Sequence, residues 1–220
     1  QNQIERHILL SMNNGLSSRI NQAVGLLKQS GIIAYPTDTL YGLGADVFDE
    51  VALNRIFTIK NRPYGMPIPI LISSVDMLSD VTSDVSQITL ELAKTFWPGP
   101  LTLVLPKTAN IPSIIAARGW TVAVRVPNHP LPRELSRLLK RPITGTSANY
   151  SGGRDLLTAS EVQTELGHLV DMIIDSPPKP SGQASTILDL TSTKIRLIRQ
   201  GAISMQNLES ICGPINYNAP

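Results

Sequence analysis

Short apolar runs alternate with segments of helical spacing along the chain, and several of those runs end abruptly in loops of small polar residues. The sharpest case is AYPTDTLYGLGAD at 34–46, where an apolar run from Ile32 to Tyr35 delivers the backbone into Pro36 and a polar loop holding Thr37, Asp38 and Thr39. TSAN at 146–149 and SGQAST at 181–186 repeat the pattern. Strands and helices mixed in this way, without internal repeats, imply an α/β or α+β sheet covered by helices. In an open α/β sheet, ligands collect at strand ends, where free backbone N–H groups and hydroxyls converge. Each loop taken alone reads more readily as a turn or a helix N-cap, because Ser, Thr, Asp and Asn are favoured there for local hydrogen bonding.

The periodicities place the elements. Ile20, Val24 and Leu27 have helical spacing behind Ser17 as the N-cap, with Gly31 as the stop. Ile32 to Tyr35 is a buried strand, and a second helix starts at Asp49 and ends before Pro63, with Lys60 and Arg62 at its last turn or just beyond. Met66 to Ser73 is strand-like, but Pro67 and Pro69 argue for an edge or an irregular start. Ser86 to Trp97 and Leu131 to Arg141 are helices, and Leu101 to Leu105, Ile143 to Ser147 and Val170 to Ile174 are strands. Thr121 to Val126 alternates, so Thr121, Ala123 and Arg125 share one face of the sheet. Ser160 to Leu166 is helical, 185–190 and 195–199 form a hairpin, and a last helix lies around 205–211. Asp175 to Gln183 is a long Pro-, Ser- and Gly-rich loop placed to act as a lid, and the tail after Gly213 reads as a frayed end.

Composition narrows the class. In 220 residues, with 42% hydrophobic and 16% charged positions, there is material for one sizeable core, so one domain over 1–220 is expected. The formal charge of +2 suits an anionic ligand but is far from polybasic. A lone cysteine, Cys212, excludes an internal disulfide and reads as a small buried residue in a reducing compartment. No apolar stretch reaches a membrane span and no secretory leader is expected, so the location expected is cytoplasmic, with no membrane partner.

The cations carry the chemistry. Lys60 and Arg62, two apart beside Pro63, are expected to aim at one ligand from a proline-fixed corner, an Arg fork with a Lys point charge suiting phosphate or carboxylate. Arg125 sits on a strand among apolar neighbours and needs an anion, either a ligand or a core carboxylate. Arg199 repeats the pattern in KIRLIRQG, with a charge at the end of an apolar run. P-loop, dinucleotide and nucleophile-elbow motifs are missing. His7, His129 and His168 offer no metal-ligand spacing and read as surface or loop residues, so no metal site is expected from the protein itself. Ser147 has no base near it in sequence.

Seven ordered stretches, GIIAYPTDTLYGLGAD, KNRPYGMP, FWPGPLTLVL, TVAVRVPNHP, TSAN, ASTILDL and IRQGAI, resemble the motifs of the YrdC-like threonylcarbamoyl-AMP synthase family over roughly residues 15–205. The resemblance implies a single-domain twisted mixed β-sheet flanked by helices, of the α/β class, with a basic concave cleft. It implies an enzyme that joins L-threonine, bicarbonate or CO2, and ATP into L-threonylcarbamoyladenylate and pyrophosphate, with Mg2+ accompanying ATP. Downstream threonylcarbamoyl transferase proteins would then modify the adenosine beside the anticodon of tRNA.

Carried over by position, the resemblance places Thr37, Arg125, Gly145 and Ser185 on threonine, with Arg125 clamping its carboxylate. Lys60, Arg62, Thr121, Ser147, Asn149, Asp155 and Arg199 fall on ATP, with Lys60, Arg62, Ser147 and Asn149 at the reacting end. This chain departs from the family at Leu71, where many members carry a substrate-side His, and at Asp155, where a Ser near the nucleotide is common. Longer forms carry a C-terminal domain behind a linker, which 220 residues are expected not to contain. Two other readings are an RNA-binding paralogue, disfavoured by the mild charge, and a carbamoyl-transfer enzyme, for which the chain lacks room.

Overall fold

The computed structural model describes residues 2–216, with side chains from Gly15 onward; the side chain of His7 and the tail residues 217–220 lie outside the described residues. Helix α1 (Asn2–Leu27) leads into β1 (Ile33–Pro36) and β2 (Tyr41–Gly44), then α2 (Glu50–Lys60) and β3 (Ile70–Leu71). After a 3-10 turn at 75–77 come α3 (Leu78–Val81), α4 (Gln87–Phe96), β4 (Leu101–Pro106), β5 (Thr121–Arg125) and α5 (Pro130–Leu139). The chain continues through β6 (Ile143–Thr144), β7 (Thr146–Ser147), α6 (Ala159–Leu166), β8 (Met172–Ile173), β9 (Thr186–Asp189), β10 (Arg196–Arg199) and α7 (Met205–Cys212).

The mixed α/β architecture expected from the pattern is the one observed, with its strands shared between two sheets. A four-stranded sheet has the order β7-β2-β1-β8 and a six-stranded sheet the order β10-β9-β4-β5-β3-β6. Both are mixed: β1 pairs antiparallel with β2 and parallel with β8, and β4 pairs antiparallel with β5 and parallel with β9. Alternation along β4 and β5 sends Leu103, Leu105, Val122 and Val124 into the core and leaves Val104, Thr121 and Ala123 partly open on the other face. The larger core lies between the closed face of the six-stranded sheet and α2, α4 and α7, which contribute Ile56, Phe57, Leu92 and Leu208. A second cluster joins Ala23 and Leu27 of α1 to Leu131, Leu135 and Leu139 of α5 over Ile33 and Tyr35.

Several boundaries follow their chemistry. The Asp49 side chain accepts from Ala52 N, the Ser86 side chain from Thr89 N, and Thr158 with Glu161 closes a reciprocal capping box on α6. Other expectations need correction. Ser17 lies inside α1 and does not cap it. The polar stretch after Tyr35 is not one loop but the β1–β2 hairpin, with Thr37–Leu40 as its tip. Ile143 to Ser147 is two strands in two different sheets, with Gly145 at the crossing. Strand β3 has the irregular start that Pro67 and Pro69 require, yet it is an interior strand between β5 and β6.

Residues 214–216 do not fray, because Leu197 N donates to Asn216 O and Asn216 N to Ile195 O. His129 is buried rather than at the surface, and its Nδ1 accepts from Leu131 N to cap α5, whereas His168 is exposed. Cys212 is half-buried with its thiol on Leu208 O. No helix among the described residues is long and apolar enough to cross a membrane.

Candidate functional site

An open cleft of about 210 Å³ is lined by residues from both sheets. One wall is the β1–β2 hairpin tip with Tyr41 and Gly42, joined by Thr146 and Ser147 of β7. The other is the open face of the six-stranded sheet, where Leu71, Thr102, Arg125 and Ile187 stand on neighbouring strands. The crossing residue Gly145 sits between the walls, and Arg62, Asp155 and Arg199 complete the lining.

The hairpin tip holds itself together. Thr37 Oγ1 accepts from Thr39 N and Leu40 N at 3.1 Å each and donates to Leu40 O at 2.7 Å, a side-chain turn that fixes the loop. The tip then takes hold of Arg125, which is 6% exposed. Arg125 Nε donates to Gly99 O at 2.9 Å, NH1 to Thr39 Oγ1 at 2.9 Å, and NH2 pairs with Asp38. Of the two partners that the sequence left open for this cation, the core carboxylate is the one observed. Asp38, absent from the expected site residues, is what permits the burial. Three of five guanidinium N–H groups are committed, which leaves two to meet an incoming oxygen.

Lys60 and Arg62 do not converge. Between them Asn61 ends α2 in the left-handed conformation, φ 48°, and of the two only Arg62 lines the cleft. Lys60 is 1% exposed and lies outside the cleft lining; its Nζ donates to Ser147 O at 2.5 Å, Asn149 O at 2.8 Å and Asn149 Oδ1 at 3.0 Å. All three ammonium donors thus brace the TSAN turn. Burial, and then the charge of Arg62, lower the Lys60 ammonium to about 7 against the opposing pull of Asp155. Asn149 is equally occupied: Oδ1 also accepts from Ser147 Oγ at 2.7 Å, and Nδ2 donates to Gly153 O and Arg154 O at 3.0 and 3.1 Å. Arg62 faces the cleft, its NH2 on Pro67 O at 2.8 Å.

On the far side Arg199 donates from Nε and NH2 to Ser185 O at 3.0 and 2.9 Å, and from NH2 to Ser185 Oγ at 3.0 Å. Neither Arg62 nor Arg199 has a carboxylate within ion-pair distance among the described residues. The cleft therefore carries two guanidinium charges without a direct counterion, beside Asp155. Of the expected residues, Thr37, Arg62, Arg125, Gly145, Ser147, Asp155, Ser185 and Arg199 line it. Lys60 and Asn149 lie behind its wall, and Thr121 lies at the far end of β5 on the same open face as Arg125.

Sequence reasoning missed Thr39, Tyr41, Thr102 and Ile187. A signal existed for Thr102: in LTLVL it breaks an apolar run at the position that alternation turns away from the core. No group of three or more His, Cys, Asp or Glu side chains suited to a metal ion occurs among the described residues.

Residues 25–201 match the Sua5/YciO/YrdC family model, described as "Telomere recombination". The threonylcarbamoyl-AMP synthase of Pyrococcus abyssi is 39% identical over 200 residues, 91% of this chain and 59% of that protein, so the chain spans about three-fifths of that relative's length. A threonylcarbamoyl-AMP synthase of Vibrio vulnificus is 36% identical over 186 residues, 84% of this chain and 99% of its own. The crystal structure of P. abyssi Sua5 complexed with L-threonine superposes with a TM-score of 0.87 at 39% identity, covering 90% of this chain and 58% of that one. The cleft that the two sheets enclose is thus set in a fold shared with these proteins, and the chain belongs to the Sua5/YciO/YrdC family.

Proposed function

We propose that this chain forms L-threonylcarbamoyladenylate and pyrophosphate from L-threonine, bicarbonate or CO2, and ATP. One observation carries the reading furthest: a single cleft brings the buried Arg125, the hairpin tip and Ser185 together with Arg62 and Arg199, two guanidinium groups that lack a carboxylate partner among the described residues. The synthase names of the relatives and the threonine bound to the Pyrococcus protein support the same assignment.

The chemistry needs positioning rather than a nucleophilic side chain. The neutral threonine amine bonds to the carbon of CO2 and loses a proton. A carbamate oxygen then attacks the α-phosphorus, and the bond to the bridging oxygen of pyrophosphate breaks. Two free N–H groups on Arg125 suit the carboxylate of threonine, while Thr37 and Thr39 shape the pocket around it. Arg62 and Arg199 stabilise charge that develops on the phosphates, as preorganised donors. Lys60 and Asn149 contribute by holding the turn that presents Ser147. Thr121, farther along the open face, would meet the nucleoside end.

Asp155 is the carboxylate facing the cleft, which fits a magnesium ion held mainly by phosphates and water; bound there, the ion would neutralise phosphate charge. The product would pass to transferase proteins that modify tRNA.

The test is pyrophosphate release from ATP with bicarbonate present, comparing L-threonine, L-serine and no amino acid, in the wild type and in Lys60→Ala and Ser147→Ala. Threonine-dependent release, reduced in both variants, is expected. No release with any amino acid from folded protein would refute the reading.

A further inference from the structure

Thr102 is buried, 2% exposed, on the open face of β4, and lines the cleft. Its hydroxyl has one partner among the described residues, the hydroxyl of Ser185 at 2.9 Å. Ser185 Oγ meets a second group as well, the NH2 of Arg199 at 3.0 Å, and that group can only donate. Either hydroxyl could donate in the contact between them, and burial favours Thr102, the less exposed of the two at 2% against 6%. A buried hydroxyl hydrogen without an acceptor is costly, so Thr102 donates to Ser185. Ser185 Oγ then accepts twice, from Thr102 and from Arg199, and both of its lone pairs are filled. Its own hydrogen has no protein acceptor among the described residues, and Ser185 borders the cleft.

We propose that Thr102 is a positioning residue which, together with Arg199, locks the Ser185 hydroxyl as a donor aimed at an oxygen of the bound amino acid. The inference rests on the functional reading above and deepens it, because it names the polarity of one contact. A group placed to donate suits a carboxylate or carbamate oxygen and does not suit an ammonium.

The test is a double-mutant cycle on the purified chain, with Thr102→Val, Thr102→Ser, Ser185→Ala and Thr102→Val/Ser185→Ala. The readouts are the KM for threonine, the KM for ATP and kcat of pyrophosphate release, with the calorimetric Kd of L-threonine and the melting temperature alongside. Thr102→Val is expected to raise the KM and Kd for threonine about tenfold, the size of one hydrogen bond to a charged oxygen. Its ATP KM should move by less than about twofold, and Thr102→Ser should behave as wild type. In the Ser185→Ala background, Thr102→Val should add nothing further.

Effects that multiply in the double variant, or a threonine KM unchanged by Thr102→Val, would overturn the proposal. If Thr102→Val does not fold, a Thr102→Ser chain that has lost threonine affinity despite a normal melting temperature would overturn it equally. A wild type that binds threonine but releases no pyrophosphate would sink the synthase reading alone, and the calorimetric cycle would still decide this one. A wild type that binds no threonine would end both.

Discussion

Lys60 holds Asn149 at two points, with Nζ 2.8 Å from its backbone carbonyl and 3.0 Å from Oδ1. The residue expected at the phosphates braces the cleft wall from behind. Lys60→Met keeps the length of the stem but leaves Asn149 O without its donor and takes one donor from Ser147 O and from Asn149 Oδ1, which keep Asn149 N and Ser147 Oγ. It is expected to destabilise the fold by about 2–4 kcal/mol and to lower activity, because Ser147 loses its support. Urea denaturation beside pyrophosphate release checks both effects; full stability with activity lost would return Lys60 to a direct role in binding ATP.

The same lysine has a pH signature. Burial lowers it to about 7 from 10.5, with Arg62 acting in the same direction and Asp155 against. Above that value the folded protein releases a proton that the unfolded chain keeps until about 10.5, so stability is expected to rise with pH across the interval. The contribution is flat below about 7, where both states hold the proton. Unfolding free energies between about pH 7 and 9 should climb more steeply in the wild type than in Lys60→Met. Equal slopes would mean that the ammonium stays charged inside the fold.

The hairpin tip and the sheet meet in the Asp38–Arg125 pair, with side chains 14% and 7% exposed. Asp38→Ala strands a guanidinium that still contacts Gly99 and Thr39, and is expected to cost about 3–5 kcal/mol. The double variant Asp38→Ala/Arg125→Met should recover much of that loss, since it removes the charge as well as its partner. It should not recover threonine binding. A double variant as unstable as the sum of the singles would show that the pair is not the source of the cost.

Much of this was legible in the sequence because the signals were local. Asp49 and Ser86 cap where their residue types and the following periodicity place them. Arg125 stood out because a charge on an apolar strand must be answered by something. What could not be read depended on contacts distant in sequence or on one unusual dihedral. Gly42 and Gly44 lower strand propensity, so β2 looked like loop. In the fold, a Cβ on Gly44 would lie 2.6 Å from Tyr35 Cε1, and the glycine is what lets that ring cross the strand. Nor does residue spacing reveal that Asn61 adopts a positive φ between Lys60 and Arg62, of which only Arg62 lines the cleft.

His129 ties α5 to the long loop, since Nδ1 accepts from Leu131 N at 3.2 Å and Nε2 donates to Pro178 O at 3.1 Å. The loop is held elsewhere too, by Tyr41 on Asp175 and by the N–H groups of Ser181 and Gly182 on the hairpin tip. Burial lowers the His129 pKa below 6.5, against the opposing pull of nearby carbonyls and Asp38. On acidification the unfolded chain takes up a proton before the folded one does. Stability should therefore fall as pH drops from about 6.5 through the lowered folded value. His129→Asn, which keeps a capping side chain, should lose that slope and expose residues 175–183 to faster proteolytic nicking. Unchanged nicking would show that the other three ties suffice.

Gly145 and Leu71 interlock where the chain passes between the sheets. A Cβ on Gly145 would stand 2.7 Å from Leu71 Cγ and 2.8 Å from Cδ2, and Leu71, 2% exposed but bordering the cleft, can yield only toward it. Gly145→Ala is therefore expected to cost about 1–3 kcal/mol and to push either the TSAN turn or the Leu71 side chain into the cleft, raising the threonine KM. Leu71→Ala alone opens a void and should also destabilise. The double variant should be more stable than the sum of the two losses predicts, because the space vacated by the leucine accepts the new methyl group. Additive losses would place the strain of Gly145→Ala in the backbone instead, at the Gly145 N to Pro69 O bond of 2.7 Å that ties the crossing to β3.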